Sequence, residues 1–527
     1  MKALFLTQSN SLDMFFFLMK AMHKSSSLEK VGFYTADSKF FNRFKETFPE
    51  IESNDYFLLK EWEIIKESYR IQPNPALLEK YERQIGDPFL WDALVSDRRI
   101  YFGKKYAYNQ DYKPRFGHER MLSILQVGLR RMEELFDKIE PDFIVSFQCV
   151  TLGEYLSYLF AKNRNIPVLN LRPTRIHNRF YAGESILEPT ESLKNSYKHF
   201  LSERIDPSLQ KEATEYLKET RDTHSLYEGV ISASSEPREK RKRGKKPLRL
   251  NMIKGLTRLL KEEYRCRFGE DRYDTHASGF LGPAFSARLI QPLRAKKMNR
   301  QFRGRYVQAK DLSKMNYSFF PLHTEPEITL SVYSKPYLNQ IEAIRLFSRN
   351  LPVGMKLVVK EHPWAIGKRP LSYYHKILNI PNVLLAHPGL ISRELISHAR
   401  LVSIIAGSIG FEALILKKPV VMLGHAPFEF LPPGMIRYAE NPDRLGFEIR
   451  ELLDNHQHDE RALEAYTAAV IGDSVPVDFY TKLLGRKDGY TPDAVVEGKD
   501  KQKDERLRQI DRLAEYLIRR LQTIKDM

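Results

Sequence analysis

The sequence predicts an α/β protein built from two arrays of parallel strands wrapped by helices. Three observations predict it. At 527 residues the chain exceeds one ordinary domain of roughly 100–200 residues. Short apolar runs alternate with segments of helical spacing up to about residue 190, and the same alternation returns after residue 310, which is the mark of parallel sheets covered by helices. The stretch between is charged, helical in spacing and free of that alternation.

The first array opens with KALFLTQ (2–8) as a strand and DMFFFLMKAMHK as a helix. Thr7, Gln8, Ser9, Asn10, Ser11 and Asp13 break the apolar run and no small-x-small site follows, so a signal peptide is not expected. KVGFYTA (30–36) is the next strand. HERMLSILQVGLRRMEELFDKI (118–139) has helical spacing, DFIVSF (142–147) reads as a strand, GEYLSYLFAKNRN as a helix and IPVLNL (166–171) as a strand. Residues 1–190 are expected as one domain. Residues 191–310 read as a helical, basic insertion that contains the run SASSEPREKRKRGKKPLR (232–249), either a solvated loop or a contact for phospholipid or another polyanion.

The second array, 311–470, is the more regular. Its strands are SFFPL (318–322), GMKLVVKE, NVLLA, LVSIIAG and PVVMLG (419–424). Its helices are NQIEAIRLFSRNL, PLSYYHKILNI, SRELISHA and SIGFEALILK. The tail 471–527 puts Leu507, Ile510, Leu513, Leu517, Leu521 and Ile524 on one helical face. That pattern suits a helix packed on the domains, a membrane-surface helix or an oligomer contact.

Composition narrows the partners. Hydrophobic residues are 42% of the chain, and no window approaches the ~18 uninterrupted apolar residues of a spanning helix. Lys plus Arg outnumber Asp plus Glu by 84 to 67, a formal charge of +17, which suits nucleotide phosphates, acidic sugars, an anionic membrane surface or nucleic acid without choosing among them. The basic run lacks interleaved aromatics and no nucleic-acid module is evident, so nucleic acid is not an expected partner. Cys149 and Cys266 read as small core hydrophobes in a reducing cytoplasm.

Candidate chemistry gathers at strand ends, where ligands of parallel α/β sheets bind. In KLVVKEHP the strand runs out into Lys360, Glu361, His362 and Pro363. Pro363 keeps His362 out of helical geometry. The imidazole can then donate to a phosphate oxygen, with Lys360 adding charge, or bond a neighbouring carbonyl. His387 and Pro388 repeat the dipeptide after the next strand and read as loop chemistry, which shows how little a bare His-Pro specifies.

In IIAGSIGFEAL the strand turns at Gly407 and Ser408 into a helix, a phosphate-attracting start that Ser408 can cap, with Gly410 behind it and Glu412 off the capping-box spacing, where its carboxylate suits a ribose diol. The alternative reading is that the glycines only permit tight strand-helix packing. FFPLHTEPE brings His323, Glu325 and Glu327 to a third strand end, either for acid/base work and sugar hydroxyls or as part of a rigid interdomain loop. No DxD-type acidic pair stands at a strand end, so neither a metal nor a resident cofactor is expected.

PLHTEPE, a helix containing NQ, LVVKEHP, GSIGFEAL and KKPVVMLG together resemble the bacterial capsule polysaccharide biosynthesis family, whose members are similar to GT-B glycosyltransferases. The resemblance is carried by residues 315–430. It implies two Rossmann-like domains facing a cleft, the C-terminal one holding a nucleotide sugar.

Relatives that transfer a CMP-activated acidic sugar such as Kdo imply a CMP-linked donor. Carried over, His362 and Pro363 contact the nucleotide phosphate, Ser408 and the neighbouring backbone of Gly407 and Gly410 hold phosphate, and Glu412 meets the ribose; Lys360 and Glu361, read from the same strand end, complete the expected nucleotide-binding set. His362, His323, Glu325 and Glu327 are then the catalytic candidates. Asp13 and Glu154 are candidates for the base by position alone, and Arg172, Arg175 and Arg179 are candidate anion contacts.

The expected function is transfer of a sugar to a glycan or lipid-linked acceptor by a cytoplasmic enzyme, peripheral on the inner face of the cell membrane. The alternatives are a sugar-nucleotide 2-epimerase of the same fold and a non-enzymatic polyanion binder.

Overall fold

The computed structural model describes all residues except 9–10, 86–89, 103–113, 204, 224–248, 278–280, 485–498 and 527. The basic run, up to residue 248, lies outside the described residues.

Fourteen described strands form two seven-stranded sheets. The first sheet holds β1 (Lys2–Thr7), β2 (Lys30–Thr35), β3 (Tyr56–Lys60), β4 (Phe143–Phe147), β5 (Val168–Pro173) and β6 (Arg179–Gly183). The second holds β7 (Tyr306–Val307), β8 (Tyr317–Pro321), β9 (Lys356–Lys360), β10 (Val383–Ala386), β11 (Leu401–Ile404), β12 (Val420–Met422) and β13 (Ile436–Tyr438). The last strand, β14 (Ser474–Pro476), returns to the first sheet.

The orders are β14-β6-β5-β4-β1-β2-β3 and β13-β12-β11-β8-β9-β10-β7. The second sheet is parallel throughout. In the first, β6 runs antiparallel to β5 and to β14. The architecture is the two-domain, Rossmann-like α/β organisation that the sequence predicts. Its strands are apolar on both faces because helices cover both. Phe5, Phe33 and Val145 pack on one side of the first sheet, and Leu4, Tyr34 and Ile144 on the other.

The first helix, Ser11–Ser26, is apolar nearly all round. It is covered by the sheet on one side and by the C-terminal helix Lys499–Asp526 on the other. Ile510, Leu513, Leu517 and Leu521 of that helix are buried there. Of the readings open for the tail, the fold takes the helix packed on a domain, and the domain is the first. Helices Glu191–Ser202 and Pro207–Asp222 pack on Glu460–Gly472 and help cover the second sheet, with Leu193, Tyr197 and Leu217 in its core. Among the described residues no helix is long and apolar enough to cross a membrane.

Candidate interdomain site

Strands β11, β8 and β9 are neighbours at the centre of the second sheet, so the three polar strand ends found in the sequence lie side by side. After β8 comes His323, whose Nδ1 is 2.9 Å from Glu327 Oε1, while Thr324 donates to Glu327 Oε2 at 2.5 Å. Burial alone would push the Glu327 carboxyl up. The His323 contact, the Thr324 hydroxyl and the nearby His362 outweigh it and hold the carboxyl below its ordinary range. Nε2 of His323 is buried without a hydrogen-bond partner.

After β9, His362 caps a short turn, its Nδ1 accepting the Trp364 N–H at 3.2 Å. The neutral ring therefore carries its proton on Nε2, which is left to donate. Burial lowers the imidazole to about 4, against the opposing charges of Glu327 and Glu361. His387 makes the same turn, accepting the Gly389 N–H at 3.1 Å, but its ring packs edge-on to Tyr306. The local geometry thus belongs to His-Pro itself. Only the surroundings distinguish the two histidines.

Lys360 is buried, and its Nζ donates to the Glu361 carbonyl at 3.5 Å. Burial lowers its pKa, with Glu361 opposing. Gly407 has φ +99 and precedes helix Ser408–Ile415, and a Cβ there would stand 3.1 Å from Cε1 of His323. Gly407, not Ser408, is the cap residue; Ser408 is the exposed first residue of the helix and makes no capping bond.

Three expected site residues face elsewhere. Glu361 is locked in the interior by Arg369, by the Tyr374 hydroxyl at 2.7 Å and by the His362 N–H at 2.6 Å. Glu325 is equally buried, accepts from Gln340 and lies 3.8 Å from the same Arg369. Arg369 also donates to the His323 carbonyl, so these two carboxylates hold one guanidinium that fixes the β8 and β9 loops together. They position the site, and neither presents an oxygen to the cleft. Gly410 turns inward, where a Cβ would lie 2.5 Å from Ile404 Cδ1 and 2.9 Å from Phe428, so tight packing accounts for it. Glu412 is half-buried under the charge of Arg393, and burial raises its pKa. Pro363 is exposed beside His362.

The first domain meets this edge directly. Lys335 pairs with Asp92, and Arg98 donates to the Pro326 carbonyl at 3.4 Å. Asp13 pairs with Arg506 of the C-terminal helix, and Glu154 closes a capping box with Thr151, its carboxyl pushed up to about 8 by burial. Both carboxylates that position alone offered as a base have structural partners.

A cleft of about 440 Å³ opens between the domains toward β12, lined by Glu184, Glu188, Lys194, Tyr333, His425 and Glu429 among others. Glu188 is buried and paired with Arg172, yet its Oε2 has no hydrogen-bond partner. Burial raises its carboxyl, opposed by Arg172 and reinforced by Glu184 and Glu429. Sequence reasoning singled out Arg172 and missed Glu188, which sits in a loop with no motif around it. Arg179 pairs with Glu212, away from this cleft. Among the described residues no three His, Cys, Asp or Glu side chains form a metal-holding group.

Residues 272–436 match the family described as capsule polysaccharide biosynthesis protein, the family that the sequence resembles. No curated protein matches the chain. Solved structures similar to it include the beta Kdo 2,7 transferase of Thermosulfurimonas dismutans KpsC, at 14% identity, 64% coverage of this chain, 80% of that one and a TM-score of 0.34. The beta Kdo 2,4 transferase of the same protein is similar at 13% identity, with 62% and 78% coverage and a TM-score of 0.27. A UDP-GlcNAc 2-epimerase from Neisseria meningitidis is similar at 11% identity, with 90% and 98% coverage and a TM-score of 0.23.

Proposed function

We propose that this chain, whose second sheet carries the capsule polysaccharide biosynthesis segment, is a glycosyltransferase that moves a sugar from a nucleotide donor to a glycan or lipid-linked acceptor. The observation that carries the reading is the convergence of His362, His323 and the Gly407 turn at one edge of the second sheet, facing the first domain. In the proposed reaction an acceptor hydroxyl attacks the anomeric carbon while the bond from that carbon to the nucleotide phosphate oxygen breaks. The departing phosphate gains negative charge, which fixed donors stabilise best. His362 Nε2, the amides opening helix Ser408–Ile415 and the buried charge of Lys360 supply them. The proton of the attacking hydroxyl passes to a carboxylate beside these donors, for which Glu327, in contact with His323 and held below its ordinary range, is the candidate.

A CMP-linked acidic sugar is the donor implied by the sequence resemblance, and the excess of Lys and Arg suits an anionic donor. The test is nucleotide release from CMP-, UDP- and GDP-linked sugars by the purified chain. Release from one nucleotide class, lost in His362→Ala at unchanged melting temperature, is the expected result. Release from none of them, or release indifferent to His362, overturns the reading.

A further inference from the structure

Two helical elements that play no part in the cleft each carry a row of exposed apolar side chains. On helix Arg249–Phe268 the row is Leu260, Tyr264 and Phe268; on the next helical run it is Leu281, Phe285, Leu289 and Leu293. All seven are 45–66% exposed, whereas the protein's other exposed large apolar residues are mostly scattered singly along the chain.

The second row spans Leu281–Phe285, a π-helical turn Ser286–Ile290 and helix Gln291–Phe302. Residues four apart on an α-helix drift by about 40°. The π turn takes more residues per turn, so it cancels part of that drift and keeps the four side chains in one stripe. The two rows adjoin, because the Leu281 N–H donates to Glu263 Oε2 at 3.2 Å.

Cations flank this stripe. From Leu281 to Phe302 the sequence has Arg288, Arg294, Lys296, Lys297 and Arg300 and no acidic residue. The acids of the neighbouring helix are engaged, Glu262 with Lys39 and Glu263 with Arg267.

We propose that this face docks the protein on an anionic lipid bilayer. Apolar and aromatic side chains in a stripe bordered by Lys and Arg are the chemistry of a helix lying in a membrane interface, with its apolar side about 5–10 Å deep. A second copy of the chain is a poor occupant, because a symmetric contact would bring the same cations together. The far end of the run is anchored, with Met298 and Phe302 buried in the second domain. It also touches the donor-side loop: Arg294 donates to the Lys368 carbonyl at 3.2 Å, and a Cβ at Gly367 would lie 2.3 Å from the Gln291 carbonyl oxygen. Docking through this face holds the loop that follows His362 close to the lipid, where a lipid-linked acceptor is found. The docking proposal itself is independent of the transfer reaction.

The test is flotation of the full chain with vesicles of phosphatidylglycerol and phosphatidylcholine, against phosphatidylcholine alone. The expected result is flotation with the anionic vesicles only, weakened by high salt, and reduced at least tenfold in the Phe285→Ser, Leu289→Ser, Leu293→Ser triple variant at unchanged melting temperature. Lys296→Glu with Lys297→Glu is expected to weaken it as well. Wild-type protein left in the soluble fraction, or a triple variant that floats as wild type does, overturns the proposal. So does a wild-type dimer that the triple variant converts to monomer, since a second copy then covers the face.

Discussion

Gly407 and His323 approach each other so closely that a side chain cannot be added at the glycine without displacing the ring: a Cβ at Gly407 stands 3.1 Å from His323 Cε1. The backbone there, φ +99 and ψ 173, belongs to a region used essentially by glycine.

Gly407→Ala is therefore expected to cost about 1–3 kcal/mol of stability and to weaken nucleotide binding by shifting His323 and the helix start. Gly410→Ala, with a Cβ 2.5 Å from Ile404 Cδ1, is expected to lose stability by overpacking. Urea denaturation beside nucleotide titration separates the two. Weakened binding in a stably folded Gly410→Ala variant contradicts the packing role given to that residue.

His362 is expected to stay neutral throughout the physiological range. Its folded pKa of about 4 lies below the ~6.5 of unfolded histidine, so the unfolded chain takes up the proton first as pH falls. The stability it contributes is complete above about pH 6.5 and is lost as pH drops from there toward 4. Ring-proton NMR of the free protein checks this, and an imidazole midpoint between pH 6 and 7 contradicts it.

Arg369 is 1% exposed between two buried carboxylates. Arg369→Met leaves Glu361 and Glu325 buried without their cation and is expected to cost about 3–5 kcal/mol in urea denaturation. A loss below about 1 kcal/mol means that the two carboxylates are not held by this residue.

Leu517, fully buried against the first helix, tests the placement of the C-terminal helix. Leu517→Ala is expected to cost about 2–5 kcal/mol. A variant of wild-type stability contradicts packing on the first domain.

Much of the second domain was legible because each strand is a short apolar run closed by a polar turn, and the polar residues at three of those turns proved to be neighbours. Which carboxylates were consumed inside was not legible. Glu361 and Glu325 meet Arg369 only once β8 and β9 stand side by side, and nothing in HTEPE separates inward Glu325 from Glu327. Three-residue β14 has too little pattern to announce a return to the first sheet, and β6, antiparallel between β14 and β5, offers no βα alternation. The C-terminal helix has an apolar stripe equally suited to a domain or a membrane, so its partner had to come from tertiary structure. The exposed row from Leu281 to Leu293 was hidden for the same reason.

The most direct test of the account is calorimetric titration of wild-type protein and His362→Ala with CMP, CDP, UDP and GDP. The account predicts one preferred nucleotide, with binding weakened by about 1.5–3 kcal/mol in the variant, roughly ten- to a hundredfold in Kd, at unchanged melting temperature. Equal affinity of both proteins for every nucleotide, or no binding at all, contradicts it.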